Sequence, residues 1–366
     1  MNYKHIDLNN FHQDKSKMYK VLDNDGNLLD KNYKTTATQE LLLEAYGFMV
    51  LSRQQDTYVS QLQRQGRSLT FAPNFGEEGL QVAVSMAMEK DDWFIPAFRA
   101  NATMLHLGVP LENQMYYWNG NEKGSKMPEG VNVLPINIPI GTQCSHAAGI
   151  AYGLKLAKKK NASVSFIGNG GTAEGEFYEA MNTSSIHKWP TVFCVNNNQW
   201  AISTPNHLES GSTTIAAKAV AVGIPAIRVD GNDVLASYEV MVEALDYAKS
   251  GKGPILVEFI TWRQGPHTSS DNPRIYRTAE IEKENEKNEP FHRIEKYLMD
   301  NNFITKEEKE KLEKEKLEQV KQAFKTTSQN LEETIDEIFD YTYEVMPQEL
   351  LEQKEELQQW LMKAGK

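Results

Sequence analysis

The strongest constraint on the fold of this chain is a strand, turn, helix and strand pattern between residues 163 and 198. Residues 163–167, SVSFI, form a short apolar and β-branched run that predicts a buried strand. A glycine-rich turn follows at once, and a helix is expected to begin near Glu174. The run TVFCV then predicts a neighbouring strand, which ends in three asparagines at 196–198. The pattern is typical of a parallel α/β unit.

The ends of these two strands suit a diphosphate that is held by a metal ion. Gly170 and Gly171 carry no Cβ, so their backbone amides can approach an anion closely. The helix after the turn directs its N-terminus, with its partial positive charge, at the same place. Asn169 and Asn198 supply amide oxygens, which are hard ligands suited to Mg²⁺ or Ca²⁺.

Two other interpretations of these residues stay open at this point. GNGGTA at 168–173 also satisfies the loose GxGxxG/A pattern of a nicotinamide- or flavin-binding Rossmann fold. That fold has an Asp or Glu at the end of the next strand, where this chain has three neutral amides. The third interpretation is a structural turn without a ligand, because asparagine-rich strand ends are also common in ordinary turns.

The wider sequence predicts an α/β fold with a parallel sheet covered by helices on both faces. Strand-like and helical segments alternate from about residue 91 to residue 259, and ligands of such sheets bind at the carboxyl ends of the strands. Thr36 with Gln39 forms a capping-box pattern that predicts a long N-terminal helix reaching residues 64–66. Thr305 with Glu308 predicts another capped helix near the C-terminus.

Composition divides the chain into three parts. Residues 1–35 are polar with little periodicity and are expected to form an arm that orders on a partner or stays mobile. Residues 36–280 are expected to form the α/β domain. Residues 281–366 are rich in Glu and Lys and are expected to form a helical extension with a solvated charged face.

Charge and cysteine content exclude several classes of protein. A net charge of −11 argues against nucleic acid as a partner, because phosphate binding needs a basic face. Cys144 and Cys194 lie in apolar stretches and are expected in the core, as in a protein of the reducing cytoplasm. No secretory pattern is found, and no apolar run approaches the length that spans a bilayer.

Taken together, the motifs resemble the E1 α subunits of the thiamine diphosphate-dependent 2-oxo acid dehydrogenases, particularly those that act on pyruvate. The signature of that family is Gly-Asp-Gly followed by paired asparagines. The resemblance extends from about Thr36 to about Pro347. Its flanking motifs are FRAN at 98–101, KMPEGVNVLPINIPIGTQ at 126–143, AISTP at 201–205 and WRQGPHTSSDNPRIYRT at 262–278.

The resemblance implies a thiamine diphosphate-binding fold and specific ligands for the cofactor. Asn169, Asn198 and the backbone carbonyl of Trp200 are expected to ligate Mg²⁺. Arg99 and Arg263 are expected to bind the diphosphate, since guanidinium matches phosphate oxygens.

The remaining expected contacts come from backbone groups and from one catalytic side chain. Ile138 and Ile140 are expected to offer backbone groups to the aminopyrimidine ring, and Gly170 and Gly171 to donate amides to phosphate. His267, in a loop after the strand ILVEFI, is the expected catalytic residue, with a role in proton transfer.

The resemblance also implies an activity and partners. The reaction is the oxidative decarboxylation of pyruvate and the reductive acetylation of the lipoyl group of the E2 component, a dihydrolipoyl acetyltransferase. The carboxylate that activates the pyrimidine comes from a β subunit in this family, so the chain is expected to be inactive alone and to work in an α2β2 heterotetramer. The alternatives are a branched-chain 2-oxo acid dehydrogenase α subunit and a degenerate, non-catalytic binding subunit.

Two positions depart from the family pattern. Asn169 replaces the usual Asp, which keeps an oxygen ligand but removes a negative charge from the metal site. On this basis Asn169→Asp is expected to tighten metal binding. Phe98 stands where relatives outside bacteria often have Tyr, so one hydroxyl contact to phosphate is lost.

Overall fold

The computed structural model describes residue 4, residues 17–330 and residues 334–365. Its centre is a parallel five-stranded sheet in the order β1-β2-β3-β7-β6. These strands are β1 (Trp93–Ile95), β2 (Ser163–Gly168), β3 (Thr191–Asn197), β6 (Ala226–Asp230) and β7 (Ile255–Ile260). A small antiparallel pair, β4 (Trp200–Ala201) and β5 (Thr204–Pro205), follows β3 directly.

Twelve α-helices lie within the described residues. They are α1 (Gln39–Arg64), α2 (Glu78–Ala87), α3 (Asn101–His106), α4 (Leu111–Trp118), α5 (Thr142–Leu156), α6 (Gly175–His187), α7 (Val234–Tyr247), α8 (Ala279–Asn285), α9 (Pro290–Asp300), α10 (Lys306–Ser328), α11 (Ile335–Phe339) and α12 (Gln348–Lys363). Short 3-10 turns connect several of them, including one at Ala216–Val222.

Helices cover both faces of the sheet, as the sequence predicts. Successive side chains of a strand point to opposite faces. On β3, Val192 and Cys194 join a core cluster with residues of α1, α2 and α7, whereas Phe193 and Val195 join a second cluster with residues of α5 and α6. Both cysteines are buried and free, in agreement with their predicted place in the core. The α/β fold class is confirmed.

Of the two predicted helix caps, one needs correction and the other is present. The N-cap of α1 is Thr38 and not Thr36, because the Thr38 hydroxyl accepts a hydrogen bond from the Leu41 amide at 3.2 Å. Three threonines precede this helix, and the capping-box spacing selects the wrong one. At α10 the predicted capping box is present, with Thr305 and Glu308 bonded to each other's backbone amides.

The described part of the predicted N-terminal arm packs against the edge of the sheet. Tyr19 pairs in parallel with Val229 of β6, and its amide donates to the Arg228 carbonyl at 3.0 Å. The amides of Val21 and Leu22 both donate to Asp233, and both side chains are buried. The polar composition of this segment therefore does not reveal that part of it packs against the edge of the sheet. Residues 1–3 and 5–16 of the predicted arm lie outside the described part of the chain.

Along the described ranges, no helix is both long and apolar enough to cross a membrane.

Candidate active site

A cavity of about 580 Å³ opens at the carboxyl ends of β2 and β3. All the residues for which the sequence predicts a role at the cofactor site line this cavity. They are Phe98, Arg99, Ile138, Ile140, Asn169, Gly170, Gly171, Asn198, Trp200, Arg263 and His267. The parallel register explains the meeting of the two motifs, because Gly168 pairs with Asn196 across β2 and β3.

Glycine is required in the wall of the cavity. A Cβ on Gly170 would lie 2.5 Å from the Cβ of Ala201, and a Cβ on Gly171 would lie 2.7 Å from Cγ1 of Ile167 and 2.8 Å from Cγ2 of Ile140. Real Cβ atoms do not approach other carbon atoms so closely. The turn is therefore packed so that backbone, and not side chains, faces the cavity, as an anion cradle requires.

Buried carboxylates hold the asparagine amides in fixed orientations. Glu77 accepts from the side-chain nitrogens of Asn196 at 2.5 Å and of Asn198 at 2.7 Å, and it is completely buried. Glu258 accepts from Asn197 in the same way at 2.8 Å. A carboxylate only accepts, so the atom facing it must be the amide nitrogen. Each amide oxygen therefore points away from its carboxylate.

Asn169 has the same kind of partner. Its side-chain nitrogen donates to Oε2 of Glu209 at 2.6 Å, across 40 residues of sequence. Burial raises the pKa of Glu209, while the Asn169 bond, the Ala201 backbone amide and the charges of Lys218 and Arg263 lower it. Glu209 stands behind Asn169 and is not among the residues lining the cavity.

Two buried guanidinium groups converge on His267. Nδ1 of His267 lies 3.0 Å from a terminal nitrogen of Arg99 and 3.5 Å from one of Arg263. Arg99 also donates to the His267 carbonyl at 2.8 Å. Because guanidinium only donates, Nδ1 must accept, which places the ring proton on Nε2 of a neutral imidazole.

The environment of His267 opposes its protonation. Burial, followed by the positive charges of Arg99 and Arg263, lowers the pKa of His267 from 6.5 to about 4, and Asp271 works in the opposite direction. The His267 amide donates to Asp271 at 2.8 Å, which fixes the loop. The Phe98 ring packs edge-on against the imidazole, with ring centres 5.9 Å apart.

Sequence reasoning missed three residues of the cavity region. Glu77 comes from the loop before α2 and carries the asparagine network, while Glu209 holds Asn169. Trp118, at the end of α4, lines the cavity, and its indole nitrogen is buried without a hydrogen-bond partner within the described ranges. A signal for Glu77 exists in the sequence, since two consecutive glutamates open the apolar helix EGLQVAVSMA.

The residues present fit a diphosphate with a bound cation. Arg99 and Arg263 are 7% and 1% exposed, and Nε of Arg263 has no hydrogen-bond partner among described residues. Buried donors without partners are costly unless a ligand satisfies them. No group of three or more His, Cys, Asp or Glu side chains that could hold a metal occurs in the described part of the chain. A cation here would therefore depend on amide, carbonyl and phosphate oxygens, which Mg²⁺ accepts.

The fold and the cavity define a class of protein, and the comparison with known families agrees. Residues 46–336 match the family model of the dehydrogenase E1 component. The chain belongs to this family, which implies thiamine diphosphate as its cofactor.

Three similar proteins are each named pyruvate dehydrogenase E1 component subunit alpha. The protein from Mycoplasma pneumoniae is 50% identical over 343 residues, which are 94% of this chain and 96% of the relative. The protein from Acholeplasma laidlawii is 46% identical over 93% of this chain and 99% of the relative. The protein from Staphylococcus aureus strain Mu50 is 39% identical over 94% and 93%.

Proposed function

We propose that this chain is the α subunit of the E1 component of a pyruvate dehydrogenase complex. The observation that supports this most is the cavity at the ends of β2 and β3, where Arg99, Arg263, Asn169 and the Gly170–Gly171 turn face one space. The names of relatives that share up to 50% identity over nearly the full length support pyruvate as the substrate. The reaction is decarboxylation of pyruvate with transfer of the acetyl group to the lipoyl group of an E2 component.

In this proposal each side of the cavity has a separate task. Arg99 and Arg263 bind the diphosphate, and the amides of Gly170 and Gly171 donate to it. Ile138 and Ile140 lie among the lining residues, where their backbone groups meet the aminopyrimidine ring. Phe98 packs against the catalytic loop but offers no hydroxyl.

Mg²⁺ is proposed to be bound by Asn169, Asn198 and the Trp200 carbonyl. The amide oxygen of Asn198 accepts from the Trp200 amide at 3.2 Å, and a carbonyl oxygen has a second lone pair for a cation. When bound, thiamine diphosphate supplies the electron sink for loss of carbon dioxide from a 2-oxo acid.

His267 is proposed to move protons during acyl transfer. Its Nδ1 faces two arginines, so Nε2 carries the proton that is available to a reacting group. Diphosphate bound to the same arginines reduces their positive field and raises the pKa of the imidazole towards neutrality. Cofactor binding would therefore prepare His267 for acid–base work.

A β subunit is proposed as an obligatory partner, in an α2β2 heterotetramer. In this family the carboxylate that activates the pyrimidine ring comes from the β subunit, and Glu77, a buried carboxylate of this cavity, is already bonded to two asparagines. We also propose the division into arm, α/β domain and C-terminal extension at residues 35 and 280, and a cytoplasmic location that suits the two free thiols.

The test is reconstitution of the chain with the β subunit encoded beside it or in the same genome. Lipoyl-dependent decarboxylation is measured with pyruvate and with 2-oxoisovalerate, each with and without thiamine diphosphate. We expect cofactor-dependent turnover of pyruvate, and none from the chain alone. Preference for 2-oxoisovalerate would assign the branched-chain activity instead. Absence of turnover with both substrates, while cofactor still binds, would support a non-catalytic subunit.

A further inference from the structure

Of the four asparagines at these strand ends, Asn169 differs from the others in its amide oxygen. Oδ1 of Asn196 accepts from Thr261, Oδ1 of Asn197 from Gln199, and Oδ1 of Asn198 from the Trp200 amide. Oδ1 of Asn169 accepts no hydrogen bond from any described residue, although Asn169 is only 2% exposed and lines the cavity. This amide oxygen is therefore open to the cavity and free to bind a ligand there.

Glu209 determines which atom of the Asn169 amide is left for that ligand. The 2.6 Å contact joins a carboxylate oxygen to the amide, and only the NH₂ group can donate there. Rotation of the amide by 180° would bring two acceptor oxygens together, so the carboxylate selects one orientation. An aspartate at 169 would need no such selection, because both of its oxygens are acceptors.

Glu209 also supplies a negative charge beside residue 169, where the neutral Asn169 replaces the Asp of the family pattern. Its second oxygen, Oε1, is buried without a hydrogen-bond partner among the described residues. A Cβ on Gly170, in the cavity wall, would lie 4.0 Å from Glu209 Oε2. The Glu209 carboxylate is therefore close to the cavity. At such a distance its charge would attract a cation bound there strongly, because the surroundings are partly buried.

We propose that Glu209 is the residue that positions Asn169 at the cation site, and that it replaces the carboxylate lost at residue 169. It orients the Asn169 oxygen towards the metal and restores a negative charge behind it. This inference rests on the proposed function, because it assumes that a divalent cation accompanies the diphosphate. It reverses one expectation from the sequence: Asn169→Asp alone would place two carboxylates in contact and would not tighten metal binding.

The test is a double-mutant cycle on the assembly of this chain with its β subunit. Mg²⁺ affinity is measured at fixed thiamine diphosphate, by quenching of tryptophan fluorescence, and Mn²⁺ is counted by electron paramagnetic resonance. Partners that orient a metal ligand typically affect affinity by about 10- to 100-fold. We expect Glu209→Gln to weaken metal binding by about this factor, and Asn169→Asp to bind no more tightly than the wild type.

The double variant Asn169→Asp with Glu209→Gln is expected to bind Mg²⁺ with an affinity within about threefold of the wild-type value, because it moves the carboxylate back to residue 169. A merely structural Glu209 predicts no such rescue. The matched control is Glu129→Gln, which removes the same charge from an exposed loop and is expected to leave the affinity unchanged.

The inference is overturned if Glu209→Gln binds the metal as the wild type does, if the double variant is as weak as Glu209→Gln, or if Asn169→Asp tightens binding whatever residue occupies 209. Circular dichroism checks that each variant is folded. If Glu209→Gln is destabilised, the comparison of metal affinity between the double variant and Glu209→Gln still tests the proposal. Failure of the proposed function is a separate outcome, in which the wild-type assembly shows no metal-dependent cofactor binding.

Discussion

Charged side chains are buried around the cavity at the sheet, whereas those of the C-terminal helices are exposed to solvent. Around the cavity, Glu77 and Arg263 are at most 1% exposed and are held by specific amides and carbonyls. On α10 the Lys311 and Glu315 side chains form an i,i+4 pair with 77% and 56% of their surfaces exposed. Charged residues are more concentrated along the C-terminal helices, yet burial, and not abundance, distinguishes the charges that organise a site.

The largest difference between the two regions is expected for loss of a buried carboxylate. Glu77→Gln leaves a side-chain amide facing two asparagine NH₂ groups and removes the charge opposite Arg99, whose Nε lies 3.9 Å away. We expect the free energy of unfolding to fall by about 3 kcal/mol, measured by urea denaturation. Glu315→Gln on α10 is the matched control, and equal losses in the two variants would break the comparison.

A methyl group in the cavity wall is expected to have the next largest effect. Gly170→Ala places a Cβ against that of Ala201, which requires the turn to move at a cost of about 1–3 kcal/mol. The affinity for thiamine diphosphate, measured by calorimetry on the assembly, should fall with it. Gly211→Ala, where nothing lies within 4 Å of the added Cβ, should change neither quantity. Unchanged cofactor affinity in Gly170→Ala would mean that the turn does not contact the ligand.

One pH response should come from the cavity, through His267. The pKa of His267 is lowered from 6.5 to about 4, so the unfolded chain takes up this proton first as the pH falls. Stability should decline from pH 6.5 towards pH 4, and His267→Gln should remove that part of the decline. NMR titration of the imidazole measures the pKa directly. A ring that titrates near 6.5 without the cofactor would contradict the described arginine contacts.

The smallest effect is expected in the C-terminal extension. Lys354 lies between Asp336 and Asp340, at 2.7 and 3.0 Å, but both acids are well exposed. Lys354→Ala should therefore lower the free energy of unfolding by less than about 1 kcal/mol and leave cofactor affinity unchanged. A larger loss would show that exposed pairs in this region are coupled to the sheet.

The sequence predicts the two parts of the cavity wall that each come from one continuous stretch of chain. The Gly170–Gly171 turn and the asparagine run each follow an apolar strand, and parallel pairing brings their ends together without further information. The resemblance to a known family adds Arg99, Arg263 and His267, whose isolated positions carry no local pattern. All of these residues line one cavity in the structure.

What the sequence does not predict are the residues that hold this set in place. Glu77 reaches Asn198 across 121 residues, and Glu209 reaches Asn169 across 40, so neither belongs to a local motif. Their roles depend on partners that are distant in the sequence, which neither the glutamate pair at the start of α2 nor Glu209 identifies. The edge segment at Tyr19 and Val21 is hidden for the same reason, because its contacts are backbone hydrogen bonds to distant residues.

The central claim is that this cavity holds thiamine diphosphate with a divalent cation, and a crystal structure of the assembly with its β subunit, grown with both, tests it most directly. The account predicts a diphosphate between Arg99, Arg263 and the Gly170–Gly171 turn, with a cation bound to the amide oxygen of Asn169. An empty cavity, or one that takes a nicotinamide nucleotide in preference, would contradict it.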